Sequence, residues 1–338
     1  MRVILVGFGV VGQSFAEIVH SDMAKLTKDF GLRPKIVGIV DSKGAAISRD
    51  GIDLQRAVDA KRKSGSLDPL GQGIYQRGKT GLDTIRDVEC EVVVETTQTE
   101  LTKGEPGLGH VKTALSEGRH VVCTNKGPLA LAMPALMELA NHNKVMFKFS
   151  GTVGGGTPIL DFAKSCLEGS SIRSVRGILN GTSNFILTKM AAEGTDMKVA
   201  LAEAQRLGYA EADPTYDVEG FDTACKLVIL SNYVLGTSLS INDVDIRGIT
   251  ALAKKDIEDA KAEGKVIKLI GGVGKTAKVS PEAVPAVHPL NVSGTFNAVS
   301  FDTHPAGEIT LVGKGAGGPE TASSIIRDMI DIRKTFAR

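Results

Sequence analysis

Residues 2–12 read RVILVGFGVVG, and this stretch decides the fold. Arg2 to Val6 is a short β-branched run that reads as a strand, and from Gln13 to His20 the spacing turns helical. Gly7-Phe8-Gly9-Val10-Val11-Gly12 therefore lies between a strand and a helix, the context that a dinucleotide-binding G-x-G-x-x-G needs. The first glycine permits the tight turn and the second lets a pyrophosphate approach the backbone. The third lets the helix pack on the strand, with its N-terminal amides facing the phosphates. The bland alternative is a glycine turn without a ligand.

Working outward, Lys35 to Val40 is the next strand and ends in Asp41, where a carboxylate can accept hydrogen bonds from the adenosine ribose. That placement leans toward NAD, while Ser42 and Lys43 could hold a 2′-phosphate, so NAD and NADP both stay open. Asp41 also reads as a plain turn or cap residue. The apolar runs Glu91 to Val94 and His120 to Cys123 follow helical sequence and read as parallel strands of the same sheet, covered on both faces. Ligands of open α/β sheets lie off the C-terminal strand ends, so Thr97 and Lys126 are directed at the cofactor crevice. Val145 to Phe149 closes this domain near Ser150.

The chain has 338 residues, 40 Lys+Arg, 39 Asp+Glu and 39 glycines. At about 100–200 residues per domain this length reads as two domains. A formal charge of +1, with no basic patch beyond Lys61-Arg62-Lys63, argues against nucleic acid or anionic lipid as a partner. No run approaches the roughly 18 uncharged apolar residues of a membrane-spanning helix, and the opening apolar run is too short for a signal peptide. Four separated cysteines without a C-x-x-C read as reduced, buried thiols in a cytoplasmic protein. The six histidines show no zinc-binding spacing.

Beyond residue 150 the pattern changes. Gly151 to Pro158 opens a helix, and strands such as Ser174 to Leu179 and Val266 to Val273 carry no second nucleotide fingerprint. The expected architecture is α/β: a Rossmann domain of residues 1–150 plus about 306–338, and an α+β substrate and dimerisation domain of residues 151–305. Within the second domain, EADPTYDVEGFDTACK (211–226) places five carboxylates before one lysine. Asp222 and Lys226 are four apart on a helix starting near Phe221, with the acid before the base. A surface pair of this kind is worth only about 0.3–0.5 kcal/mol. This helix is apolar nearly all round, so its lysine is either paired in a crevice or costly to bury, which makes Lys226 a candidate proton donor. Asn180, Thr182 and Ser183 offer polar groups to a small zwitterion at a helix start, or serve as ordinary caps.

GFGVVG, TNKGPLA (124–130), TVGGGTPIL (152–160), LNGTSNFIL (179–187), the 211–226 segment and GKGAGGPETASSIIRDM closely resemble homoserine dehydrogenase, in the family's order. GEPGLGH at 104–110 looks like the short, stand-alone form. The resemblance implies reversible NAD(P)H-dependent reduction of L-aspartate 4-semialdehyde to L-homoserine. It makes Lys226 the proton donor, Asp222 the carboxylate that holds it, and Lys126 the lysine that reaches nicotinamide and substrate. Glu211 takes the substrate amino group, Asp217, Gly181 and Thr182 line the substrate pocket, and Thr97 and Gly315 contact the cofactor.

The family commonly holds a sodium ion on carbonyls of the TVGGGTP loop, here Val153, Gly155 and Thr157, with a glutamate whose place Ser150 takes. A homodimer formed through the second domain's sheet is also implied. With the chain ending at Arg338, no C-terminal ligand-sensing domain is expected. From the residues alone, the rivals are a dehydrogenase for another small polar substrate and a dinucleotide sensor. A sensor would have no use for Lys226.

Overall fold

The computed structural model describes residues 1–336. They form two compact units, Met1–Thr152 together with the chain from Gly317 onward, and Val153–Ala316.

In the first unit the apolar runs become strands β1 (Arg2–Val6), β2 (Lys35–Asp41), β3 (Gly44–Ile47), β4 (Tyr75–Arg77), β5 (Val92–Glu95), β6 (His120–Cys123) and β7 (Phe147–Lys148). Their order is β4-β3-β2-β1-β5-β6-β7. β2, β1, β5, β6 and β7 are mutually parallel, as continuous apolar strands between helices predict. β3 and β4 add an antiparallel edge that the sequence reading did not contain. Asp41 pairs with Gly44 across a two-residue turn there, which turns the chain back before the next helix.

The helices of this unit are α1 (Val10–Phe30), α2 (Leu54–Ser64), α3 (Gly81–Asp87), α4 (Gly107–Ser116) and α5 (Lys126–His142). Phe15, Val19 and Leu26 of α1 pack with Val3 and Leu5 of β1 in one core, and each such side chain buried stabilises by about 1.5–3 kcal/mol.

The second unit has α6 (Ile159–Asp161), β8 (Ser171–Ile178), α7 (Gly181–Glu193), α8 (Met197–Arg206), α9 (Thr215–Val218), α10 (Phe221–Leu230), β9 (Val244–Ile246), α11 (Lys254–Ala262), β10 (Lys265–Val273), β11 (Ala277–Pro285), β12 (Phe296–His304) and β13 (Gly307–Lys314). Its sheet runs β13-β12-β8-β10-β11-β9 and is antiparallel except for β11 with β9. Ile178, Ile270, Val284, Leu290 and Ala298 form its core.

One expectation changes. The sequence places the segment from about 306 whole in the Rossmann domain, whereas β13 pairs residue for residue with β12 in the second sheet. The return to the first unit is made by helix α12 (Gly318–Thr335) alone. It packs on α1, burying Ile325, Ile326, Met329 and Ile332, whereas Ile330 is only partly covered. Cys166 is exposed and Cys90 half-buried, so only Cys123 and Cys225 are the buried thiols expected. No helix among the described residues is long and apolar enough to cross a membrane.

Candidate active site

The three fingerprint glycines have three separate reasons. Gly7 has φ +95°, and a Cβ there would stand 2.7 Å from the Thr96 carbonyl carbon and the Thr97 amide. A Cβ at Gly12 would overlap the Gly7 carbonyl, so the helix can approach the strand only through glycine. At Gly9, the residue capping α1, a Cβ would meet nothing within 4 Å. Gly9 therefore faces open space, where a pyrophosphate can reach the amides of the helix start. Beside it lies a cavity of about 880 Å³ whose walls include Phe8, Asp41, Lys61, Thr97 and His110. Val10 is exposed on the first turn and Val11 packs partly on the core. These residues fit a dinucleotide.

Asp41 borders the cavity, but its carboxylate is turned inward and only 1% exposed. Oδ1 accepts from the amides of Lys43 (2.8 Å) and Gly44 (3.1 Å), and Oδ2 accepts from Lys61 Nζ at 3.0 Å. The turn-residue reading of Asp41 describes this geometry. These three donors hold the carboxylate in this orientation and leave one lone pair of Oδ2 for a ribose hydroxyl. Thr97 follows the buried end of β5, and Lys126 is the first residue of α5, its amide donating to Thr99 Oγ1 at 3.3 Å.

In the second unit a polar cluster forms where the sequence dense in carboxylates meets the end of β8. α10 starts after Gly220, whose φ of +86° suits glycine, and its next turns are buried almost throughout. Lys226, 7% exposed, donates from Nζ to Asp222 Oδ2 at 2.6 Å and to the Leu179 carbonyl at 2.8 Å. Asn180 caps α7 by accepting the Ser183 amide at 2.8 Å. Its Nδ2 donates to Asp217 Oδ1 at 2.6 Å and to Asp222 Oδ2 at 2.9 Å. Burial, reinforced by the Asp222 charge, raises the Asp217 carboxyl above its ordinary 3.8. Thr182 Oγ1 donates to the Tyr209 carbonyl at 2.7 Å, and a Cβ at Gly181 would stand 2.7 Å from the Thr295 carbonyl oxygen.

Asp217, Asp222 and Lys226 are thus brought together, with Thr182 and Gly181 on the helix that Asn180 caps. Glu211 is not part of the cluster: it is exposed on the segment between α8 and α9. The sequence reading of Asn180, as a helix cap or a polar group for a small zwitterion, did not contain its bridge between two carboxylates, which lie 37 and 42 residues away.

The same unit contains a second buried lysine, and the contrast is informative. Lys268 donates to Val292 O (2.7 Å), Asn184 Oδ1 (3.0 Å) and Thr188 Oγ1 (3.4 Å), all neutral groups, and burial pushes its ammonium down to about 8. An ammonium tied to three neutral acceptors braces a loop. One paired with a carboxylate beside a polar cluster can hand over a proton and recover it.

The glycine loop at 153–157 offers neutral carbonyls. Thr157 O accepts the Ile159 amide at 2.8 Å, and Gly155 lies against the backbone of Gly315. Ser150, in the place of the family glutamate, gives its amide (3.0 Å) and hydroxyl (2.5 Å) to Asp328. This donor set lacks the family's carboxylate and offers a monovalent cation neutral carbonyls only. Gly315, expected in the Rossmann domain, belongs to the second unit beside Asn297, with which a Cβ would overlap.

Two family models match the chain: one described as homoserine dehydrogenase, NAD binding domain, over residues 7–150, and one described as homoserine dehydrogenase over residues 158–330. A homoserine dehydrogenase of Methanocaldococcus jannaschii is 43% identical over 335 residues, covering 98% of each chain. An NAD(+)-dependent homoserine dehydrogenase of Pseudomonas canavaninivorans is 39% identical, covering 100% of this chain and 97% of that one. A hyperthermophilic archaeal homoserine dehydrogenase solved in complex with NADPH superposes with a TM-score of 0.86 at 30% identity, covering 99% of this chain and 98% of that one.

Proposed function

The chain belongs to the homoserine dehydrogenase family, and we propose that Lys226 is the proton donor in the reaction it catalyses. That reaction is the reversible NAD(P)H-dependent interconversion of L-aspartate 4-semialdehyde and L-homoserine, a step toward threonine and methionine. NAD or NADP serves as cofactor. The observation that carries the proposal is the buried ammonium of Lys226, held by Asp222 Oδ2 at 2.6 Å and by the Leu179 carbonyl at 2.8 Å.

Those two bonds use two N–H groups of the ammonium and leave the third for a substrate oxygen. When bound, the reduced nicotinamide supplies a hydride to the aldehyde carbon. The carbonyl electron pair then moves onto oxygen, where Lys226 stabilises the charge and transfers its proton. Asp222 Oδ2 holds the ammonium in place through its 2.6 Å hydrogen bond, and solvent returns the proton to the amine afterwards. In the reverse direction the neutral amine takes the hydroxyl proton of homoserine. We assign Asp217, Gly181 and Thr182 to the substrate pocket and Lys126, Thr97 and Gly315 to the cofactor side; Glu211, exposed and apart from the cluster, takes the substrate ammonium on the family resemblance alone. The carboxylate density around Asn180 supports an amino acid substrate, because an α-ammonium needs an anionic partner.

Family resemblance extends this reading to a homodimer built on the second unit's sheet, a cytoplasmic location, and a weak monovalent cation on the carbonyls of Val153, Gly155 and Thr157. Sedimentation tests the dimer, and a sodium titration of the rate tests the cation. The central test is homoserine-dependent reduction of NAD⁺ and NADP⁺ at alkaline pH, where proton release favours oxidation. Folded protein that is inactive with both cofactors would exclude the assignment.

A further inference from the structure

Glu95, the last residue of β5, is fully buried, a place where a carboxylate must be paired. Its Oε2 lies 2.8 Å from His110 Nδ1 on α4, and its Oε1 accepts the Thr97 amide at 2.8 Å and the Thr97 hydroxyl. Thr97 Oγ1, its one proton given to Glu95, accepts from Asn125 Nδ2 at 3.1 Å. Asn125 Oδ1 in turn caps α5 by accepting the Gly127 amide at 2.9 Å, one residue beyond Lys126.

The surroundings are cut to fit. A Cβ at Gly81 would overlap the His110 ring, and one at Gly107 would overlap the Asn125 amide. Thr97, Gly81 and His110 all border the 880 Å³ cavity beside the fingerprint. A buried carboxylate–imidazole pair adds little stability over an apolar pair of equal volume, since both groups must be desolvated. What it fixes is geometry, here the rotamer of the Thr97 hydroxyl and the register of the α5 start.

We propose that His110 and Glu95 are positioning residues for the nicotinamide cofactor, acting through Thr97. GEPGLGH thereby gains a purpose: it delivers His110 to the end of β5. The proposal rests on the reading of Thr97 as a cofactor contact.

The test compares wild type, Thr97→Val, His110→Ala, the double variant and His110→Asn, whose amide can replace Nδ1. NADH and NADPH Kd values are read by fluorescence titration, together with homoserine KM, kcat and the Tm of the cofactor-free protein. Glu95→Gln, isosteric but unable to accept all three donors as a carboxylate does, carries the comparison should His110→Ala not fold. The expected result is a cofactor Kd raised roughly tenfold by His110→Ala, the size of one hydrogen bond, with homoserine KM within about twofold. The double variant should be no weaker than Thr97→Val alone, and His110→Asn should restore most of the affinity.

A lowered Tm with cofactor Kd unchanged in His110→Ala, or additive losses in the double variant, would overturn the proposal. If Thr97→Val itself leaves binding unchanged, the cofactor contact and the positioning role fall together. A weakened Thr97→Val beside a silent His110→Ala removes the positioning role alone.

Discussion

Lys226 Nζ and Asp222 Oδ2 lie 2.6 Å apart, one helical turn from each other, with both side chains nearly covered. Asp222 Oδ2 also accepts from Asn180, whose amide reaches Asp217 as well. The pair is therefore the cationic end of a network containing two carboxylates, and differs from a surface i,i+4 pair of about 0.3–0.5 kcal/mol. Removing one partner from such a site strands the other, which is the costly case.

Lys226→Met keeps the aliphatic stem and removes the proton donor. kcat should fall by about 10²–10⁴, the usual worth of general acid catalysis, while NADPH Kd stays within about threefold. Stopped-flow rates and fluorescence titration check the two halves, with circular dichroism confirming a folded chain. Near-wild-type kcat would exclude Lys226 as the donor.

Asp217→Asn should separate stability from function. The folded-state carboxyl of Asp217 is raised by burial and by the Asp222 charge, so the folded chain holds this proton more tightly than the unfolded chain does. As pH rises from the ordinary value of 3.8 through the raised one, the unfolded state loses the proton first and stability falls. At pH 7 the charged Asp217 is a net cost, so Asn should raise Tm there, and the gain should shrink toward pH 3.8. Homoserine KM should rise roughly tenfold or more as the anionic pocket loses a charge. Calorimetry at several pH values decides: a Tm gain independent of pH would contradict the argument.

The parts legible in the sequence are those encoded locally. RVILV followed by GFGVVG is a strand and its turn within eleven residues, and Asp222 with Lys226 is one turn of one helix. The β3–β4 edge escaped notice because GAAI has neither alternation nor bulk. β13 was misplaced because its partner β12 was not recognised, leaving the strand without a neighbour in the second unit. Asn180 meets Asp217 and Asp222 across 37 and 42 residues, and His110 meets Glu95 across 15. No spacing rule reaches over such distances; only the closure of each sheet brings them together.

Lys268→Met should leave kcat within about twofold, while stability falls as its buried acceptors lose their donor and the pH dependence of stability changes. Burial depresses the folded ammonium from 10.5 to about 8. Between those values the unfolded chain binds a proton that the folded chain has released, so this lysine's contribution to stability rises with pH. The Tm difference, wild type minus Lys268→Met, should therefore increase from pH 7.5 to pH 9.5. A flat difference would mean that Val292 O and Asn184 Oδ1 hold the ammonium charged across the range.

Gly9→Ala and Gly12→Ala should behave as opposites although both alter the same fingerprint. At Gly9 the backbone has φ −84° and a Cβ meets nothing within 4 Å, so alanine fits the cofactor-free fold. It should lower the stability of that form by no more than the loss of a weak N-cap, about 1 kcal/mol or less. The methyl group nonetheless occupies the space through which a pyrophosphate approaches the helix amides, and NAD(P)H Kd should rise at least roughly tenfold. At Gly12 the added Cβ overlaps the Gly7 carbonyl, so α1 must move off β1, and the core formed by Phe15, Val19, Val3 and Leu5 loosens with it. Gly12→Ala should therefore lose stability and cofactor affinity together. Calorimetry of the cofactor-free variants beside fluorescence titration distinguishes the two. If Gly9→Ala binds NADPH like wild type, the phosphates do not lie against Gly9, and the cavity beside it holds some other part of the ligand.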